Sequence, residues 1–136
     1  MEAPEGRFYG FPVYGVPGFK IGRYHHREEQ VDNPDHMDRE CHVEDEAVLR
    51  AGIRRYFPDA DGPTMSMKTC LFTNSPDEHF ILDLHPDSSQ VAVAAGFSGH
   101  GFKFCSVIGE ILSDLVLDGG TSLDIGMFRL GRFSPS

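Results

Sequence analysis

Apolar residues recur at Phe104, Val107, Ile108, Ile111, Leu112, Leu115 and Val116, the i, i+3, i+4 spacing of a helix with one buried face. A helix is therefore predicted over 104–117, with Gly119-Gly120 as its stop. A second is predicted over 44–57. Leu49, Ile53, Tyr56 and Phe57 make its apolar side, Glu44, Asp45 and Glu46 open it, Arg54 and Arg55 close it, and Pro58 ends it. Period-two alternation predicts strands at Met67–Thr73, with Lys68, Cys70 and Phe72 on one side, and at His79–His85, with Phe80, Leu82 and Leu84 on one face. The turn at Asn74-Ser75-Pro76-Asp77 separates them, and Pro86-Asp87-Ser88-Ser89 leads into a third strand, Gln90–Ala95. Shorter strands are predicted at Lys20–His25 and Ile125–Leu130. Residues 1–26 are rich in glycine, proline and aromatics, and 27–45 read as a polar, acidic loop. There is no internal repeat.

The chain has 136 residues, the length of one ordinary domain, and 40% are hydrophobic, enough for a core. Lys and Arg number 12 against 21 Asp and Glu, a net charge of −9. That balance argues against a nucleic-acid partner, which would need clustered cations. No apolar run approaches the ~20 residues that span a bilayer, so no membrane partner is expected. The start, Met1-Glu2-Ala3-Pro4-Glu5, has no secretory pattern. With three unpatterned cysteines, Cys41, Cys70 and Cys105, the expected location is cytoplasmic.

The densest chemical signal is Gly96-Phe97-Ser98-Gly99-His100-Gly101-Phe102-Lys103. It lies between the apolar run Val91–Ala95 and the strongest helix. Three glycines let a backbone approach another group closely, and a helix start favours negative charge. Lys103 adds a cation in the expected first turn. The pattern suits an anionic or electron-rich flat ligand; the competing reading is a turn that merely packs tightly. It is not a dinucleotide fingerprint, because Phe104 stands where the third glycine of G-x-G-x-x-G belongs. Seven histidines invite a metal reading, but none has zinc-ligand spacing, so no metal is expected.

Two long stretches carry a family resemblance. They are Cys70-Leu71-Phe72-Thr73-Asn74-Ser75-Pro76-Asp77-Glu78-His79-Phe80-Ile81-Leu82-Asp83, followed by His85-Pro86, and Val93-Ala94-Ala95-Gly96 through Phe104. In this order and spacing they closely resemble the monomeric sarcosine oxidase and N-methyltryptophan oxidase family, FAD-dependent amine oxidases of the D-amino-acid oxidase superfamily. The likeness extends upstream through Tyr9-Gly10-Phe11-Pro12 and Lys20-Ile21-Gly22, and downstream to Phe128-Arg129-Leu130-Gly131-Arg132-Phe133. It covers nearly all of this chain but only about the last third of a family member.

The resemblance implies an α+β fold, in which residues 1–76 contribute to an antiparallel substrate-domain sheet. Residues 77–136 would form the C-terminal strand-helix-strand part of the FAD-binding domain. The N-terminal Rossmann segment of the family is expected to be missing, and a separate chain carrying it is one partner the resemblance allows. The implied activity is oxidation of a small secondary amine, a sarcosine-like N-methyl amino acid. Oxygen is the acceptor, giving imine-derived products and hydrogen peroxide. A dehydrogenase using another acceptor would share the fold, and a non-catalytic remnant or interaction module is the alternative from a different class.

Site residues follow by the same resemblance. Cys70 matches the cysteine that links covalently to the flavin, which needs an accessible, ionisable thiol; the competing reading is a small buried apolar cysteine. Gly99, His100, Gly101, Phe102 and Lys103 match the stretch against the flavin pyrimidine, and Lys103 is also implied in holding a substrate carboxylate. Lys20 matches a lysine that promotes the reaction with oxygen, and Tyr9 an active-site tyrosine. A family histidine falls on Tyr24 by simple counting, or on His25 with one residue inserted; His25 is preferred. Phe72 stands where sarcosine oxidases often carry tyrosine, which removes a hydroxyl from the implied pocket and leaves the substrate open.

Overall fold

The structure, a computed structural model, describes residues 1–133. The chain divides into two compact units, one of residues 1–70 and one from Leu71 onward. The sequence reading places a division between substrate-domain and FAD-domain portions at 76/77. Residues 73–75 side with the second unit because the Ser98 N–H donates to the Thr73 carbonyl (3.0 Å) and Asn74 makes a single β-bridge to Phe97. Mixed helix and antiparallel sheet make the architecture α+β. Positions 134–136 of the expected FAD-domain range lie outside the described residues.

The first unit is a three-stranded antiparallel sheet, β1 (Glu2–Ala3), β2 (Gly6–Phe11) and β3 (Lys20–Arg23), with helix α1 (Val43–Tyr56). Pairing of β2 with β3 sets Phe8 opposite Arg23, Tyr9 opposite Gly22, Gly10 opposite Ile21 and Phe11 opposite Lys20. Paired residues point to the same face, so Tyr9, Phe11 and Lys20 share one side and Phe8 points to the other. Phe8 is buried against α1, where Gly52 makes room; a Cβ at 52 would lie 2.8 Å from the ring.

Helix α1 begins where the Asp45 carboxylate accepts the His42 backbone N–H (2.9 Å), a bond of the capping-box type. It also holds the segment after it. Arg50 reaches Glu46 (2.7 Å) and Asp61 (2.5 Å), and Arg54 reaches Asp61 (2.8 Å).

The second unit packs the hairpin β4 (Ile81–His85) and β5 (Ser88–Ala95) against helix α2 (Cys105–Leu117). The core is Phe80, Leu82, Ile108, Ile111, Leu115 and Ile125. Both predicted helices and the hairpin are thus present, displaced by a residue or two at their ends. Burying side chains such as Leu82 and Leu115 contributes about 1.5–3 kcal/mol each.

Two predicted strands are absent. Residues 67–73 run without regular structure, because alternation supplies faces but a strand also needs a partner, and among the described residues pairing is confined to the end of the segment, where the Thr73 carbonyl accepts the Ser98 N–H and the next residue, Asn74, bridges Phe97. In place of a strand at 125–130 stand two 3-10 turns, Gly126–Phe128 and Leu130–Phe133. Side chains take the bonds a ladder would use: Asp124 accepts the Gly126 N–H (3.0 Å) and Asp83 accepts the Leu130 N–H (2.9 Å). The short strand predicted over 20–25 ends at Arg23, since His25 lies in the left-handed region at φ +49°.

Leu115→Ala should lower unfolding stability by about 2–5 kcal/mol in urea titration, and Val116→Ala, half exposed one position on, by less than about 1. Equal losses would contradict the described core.

Candidate functional site

The first unit contributes Tyr9, Lys20, His25 and Cys70. Tyr9 and Lys20 project from the face of the sheet opposite Phe8. Gly22 permits this placement for Tyr9, since a Cβ there would come within 2.5 Å of the phenol ring. Burial raises the phenol's pKa, and the charge of Cys70 adds to the effect. Tyr9 is therefore a neutral hydrogen-bonding group near neutral pH, and Cys70 lies near enough for its charge to act on it. Cys70 is an exposed free thiol, which removes the reading of it as a buried apolar residue. The Lys20 ammonium sits 5.6 Å from the Phe11 ring centroid, a cation over an aromatic face.

His25 stands past the end of β3, its imidazole edge-on to Tyr24 at 4.7 Å. Tyr24 itself lies under the Arg7 guanidinium (5.4 Å), and its N–H donates to the Arg7 carbonyl. The structure thus sets Tyr9 and Lys20 on one sheet face, with Cys70 within electrostatic reach of Tyr9, while the His25 ring packs on Tyr24.

The second unit contributes the glycine turn. Gly96, Ser98 and Gly99 all have positive φ (+60°, +47° and +74°). Gly99 lies under the Phe72 ring, which a Cβ would meet at 2.8 Å, and Gly101 lies against Phe97 at 2.6 Å. Tight packing therefore explains part of the glycine pattern. His100 turns its ring inward: Nδ1 lies 2.9 Å from the Ser98 carbonyl, and the ring packs on Phe80 at 4.9 Å. Because a carbonyl only accepts, Nδ1 carries a proton.

The turn does not run directly into the helix as the sequence suggests. A 3-10 turn, Phe102–Phe104, intervenes, and Lys103 sits in it rather than in the first turn of α2. The physical reason is the Phe104 N–H, which donates to the Gly101 carbonyl three residues back (2.9 Å) and tightens the entry. Phe102 is 92% exposed and Lys103 is also exposed. The start of α2 has no side-chain cap and no acidic residue in its first turn. Beside it opens a groove of about 410 Å³ with an apolar floor of Phe80, Ile108 and Ile111, rimmed by His79, His100 and Lys103.

These residues fit a flavin in each unit taken by itself. The first offers an accessible thiol beside a neutral phenol and a lysine. The second offers uncapped backbone amides, a lysine and an exposed aromatic ring, a donor set suited to an electron-rich flat group. Among the described residues there is no group of three or more metal-ligating side chains, and no helix is long and apolar enough to cross a membrane.

Sequence reasoning read Asn74-Ser75-Pro76-Asp77 only as a turn and missed its role beneath the glycine turn. Ser75 and Ser98 are buried, and the Ser75 N–H donates to Ser98 Oγ (3.3 Å). Asp77 receives Arg132 through two bonds (2.7 and 3.0 Å). These bonds hold the Asp77 carboxyl well below the ordinary carboxylate range. The available signal was a serine between glycines, where φ > 0 is costly for a non-glycine residue.

A family described as FAD dependent oxidoreductase matches residues 2–115. The chain is 50% identical over 134 residues to a monomeric sarcosine oxidase of Bacillus sp. (strain NS-129), covering 97% of this chain and 34% of that protein. It is 37% identical over 130 residues to a peroxisomal sarcosine oxidase of Homo sapiens, covering 92% and 32%. It is 38% identical over 135 residues to an N-methyl-L-tryptophan oxidase of Salmonella enteritidis, covering 98% and 36%. The chain spans about a third of the length of these curated relatives.

Gly99→Ala should drive a methyl into the Phe72 ring at a backbone angle that disfavours it, costing about 1–3 kcal/mol in thermal or urea unfolding. Unchanged stability would contradict the close approach. The acid limb supplies a second check. Asp77 has a folded pKa below its unfolded value of 3.8. Its stabilising contribution is fully present above the unfolded pKa and is lost as pH falls through the folded one. The stability gap between wild type and Asp77→Asn should stay constant from neutral pH to about pH 5 and close only in stronger acid. A gap closing near pH 6 would contradict it.

Proposed function

The chain belongs to the FAD dependent oxidoreductase family, and from that premise we propose that it is the C-terminal part of an FAD-dependent oxidase acting on a small secondary amine of the sarcosine type. The observation that carries the reading is an exposed thiol, Cys70, near Tyr9 on the sheet whose same face presents Lys20. Support comes from the relatives named sarcosine oxidase and N-methyl-L-tryptophan oxidase. When bound, FAD supplies the acceptor for amine oxidation and passes the electrons to oxygen, yielding hydrogen peroxide.

The residues of this chain then divide the remaining work. Cys70 is the attachment point, through a thioether. Lys20 places a fixed cation on the active face, where it stabilises negative charge developing on oxygen. Tyr9 offers an uncharged hydroxyl for orienting the amine, and His25 the neighbouring imidazole. In the second unit, the amides around Gly99, His100, Gly101 and Phe102, with the Lys103 ammonium, favour the electron-rich pyrimidine edge; Lys103 also suits a substrate carboxylate.

Residues 1–76 take the substrate-domain role and residues 77–136 the FAD-domain role. The full reaction also requires the remaining length of the relatives, on the same or a separate polypeptide. The cytoplasm is the proposed location, consistent with three cysteines that are all free. One observation favours an interaction module instead: the end of β2 and the loop after it expose Phe11, Val13, Tyr14 and Val16, at 59 to 88%.

Expression with FAD and the family's N-terminal portion should give a yellow protein whose visible absorbance stays with the polypeptide after denaturation and precipitation. Cys70→Ala should release that colour, and Lys20→Met should cut sarcosine-dependent oxygen uptake by about tenfold or more. A colourless wild-type protein would favour the interaction module.

A further inference from the structure

Resting on the reading that the glycine turn meets the flavin, we propose that the Asp77–Arg132 ion pair is a positioning device for that turn, acting through Ser75 and Ser98. Ser98 has no exposed surface and sits at φ +47°, a conformation that a non-glycine residue keeps only when its surroundings over-determine it. Its surroundings do so through four bonds. The Ser98 N–H donates to the Thr73 carbonyl (3.0 Å), its hydroxyl donates to the Gly96 carbonyl (3.0 Å), that same oxygen accepts the Ser75 N–H (3.3 Å), and its carbonyl accepts from His100 Nδ1 (2.9 Å).

Ser75 is in turn pinned from below. Its hydroxyl lies 2.6 Å from the His79 carbonyl and 3.0 Å from Asp77 Oδ1. Asp77 also accepts the His79 N–H (3.1 Å). Arg132, its side chain 14% exposed, grips Asp77 with Nε and Nη2. It donates as well to the carbonyls of His79 and Arg129 (both 3.1 Å), and its guanidinium lies over the Phe133 ring at 4.0 Å. A planar fork engaged on that many sides has one orientation, which is why arginine serves here and lysine would not.

A second ion pair of this unit is the natural control. Arg129 contacts Asp83 at 2.7 Å, and Asp83 accepts the Leu130 N–H, so this pair also ties the C-terminal turns to the hairpin. It acts from the middle of β4, whereas the Asp77 pair acts through the seryl contacts under Gly96–Gly99.

The test is amide hydrogen exchange on the full chain. Asp77→Asn should speed exchange at the Ser98 and His100 amides by about tenfold more than at Leu82 and Val93 in the hairpin, whereas Asp83→Asn should not single them out. Arg132→Lys should show the same local effect, weaker. Ser98→Gly, which relieves the backbone and removes the hydroxyl, should abolish the response to Asp77→Asn, a double-mutant cycle that stays readable if Asp77→Asn alone is too unstable. In the flavin-loaded protein, Asp77→Asn should also shift the flavin reduction potential. Uniform acceleration across the unit, or an equal local effect from Asp83→Asn, would overturn the proposal. A locally faster turn with an unchanged potential would overturn its role at the flavin while leaving the linkage standing. A protein that takes up no flavin would instead overturn the functional reading, because the exchange result needs none.

Discussion

The second unit depends on one contact, the apolar stripe of α2 laid on the β4–β5 hairpin through Leu82, Ile108, Ile111 and Leu115. That contact fixes where β5 ends and where α2 begins, and the backbone must cross the gap between them in a few residues. Glycines at 99 and 101 meet that demand by letting Phe72 and Phe97 come closer than a Cβ would permit, and Gly96 by its positive φ. The geometry of the glycine turn is thus set by packing. Close approach and ligand recognition, which look like rival readings of the glycine motif, are compatible uses of the same backbone.

The first unit follows a different logic. Its sheet has a packed side, where Phe8 enters the space left by Gly52, and an open side that carries Tyr9, Phe11 and Lys20. Gly22 lets the Tyr9 ring lie flat across the neighbouring strand. Burial there keeps the phenol protonated. A neutral hydroxyl and a cation on one face, near an accessible thiol, form a chemically graded surface that no single element could present.

How much of this was legible depended on how local each cause is. Helix α2 was readable because the apolar residues from Phe104 to Val116 repeat at helical spacing within one segment. The hairpin was readable because Phe80, Leu82 and Leu84 alternate next to a turn. The strand predicted over 125–130 failed because Asp83, 47 residues from Leu130, captures a main-chain donor, and nothing in the local pattern announces that. Residues 67–73 failed for the converse reason: the alternation is present, but among the described residues backbone pairing is confined to the segment's end. The shared face of Tyr9 and Lys20 depends on the register that sets Phe11 against Lys20, which lies beyond local pattern. Family motifs singled out those residues, whereas the seryl bridge beneath the glycine turn carried no such mark.

The bond from His100 to the Ser98 carbonyl has one more consequence. With Nδ1 committed as donor, the other ring nitrogen is left with a lone pair in the neutral form. The imidazole therefore shows an accepting edge away from the turn while its donating edge is held by the backbone beneath it.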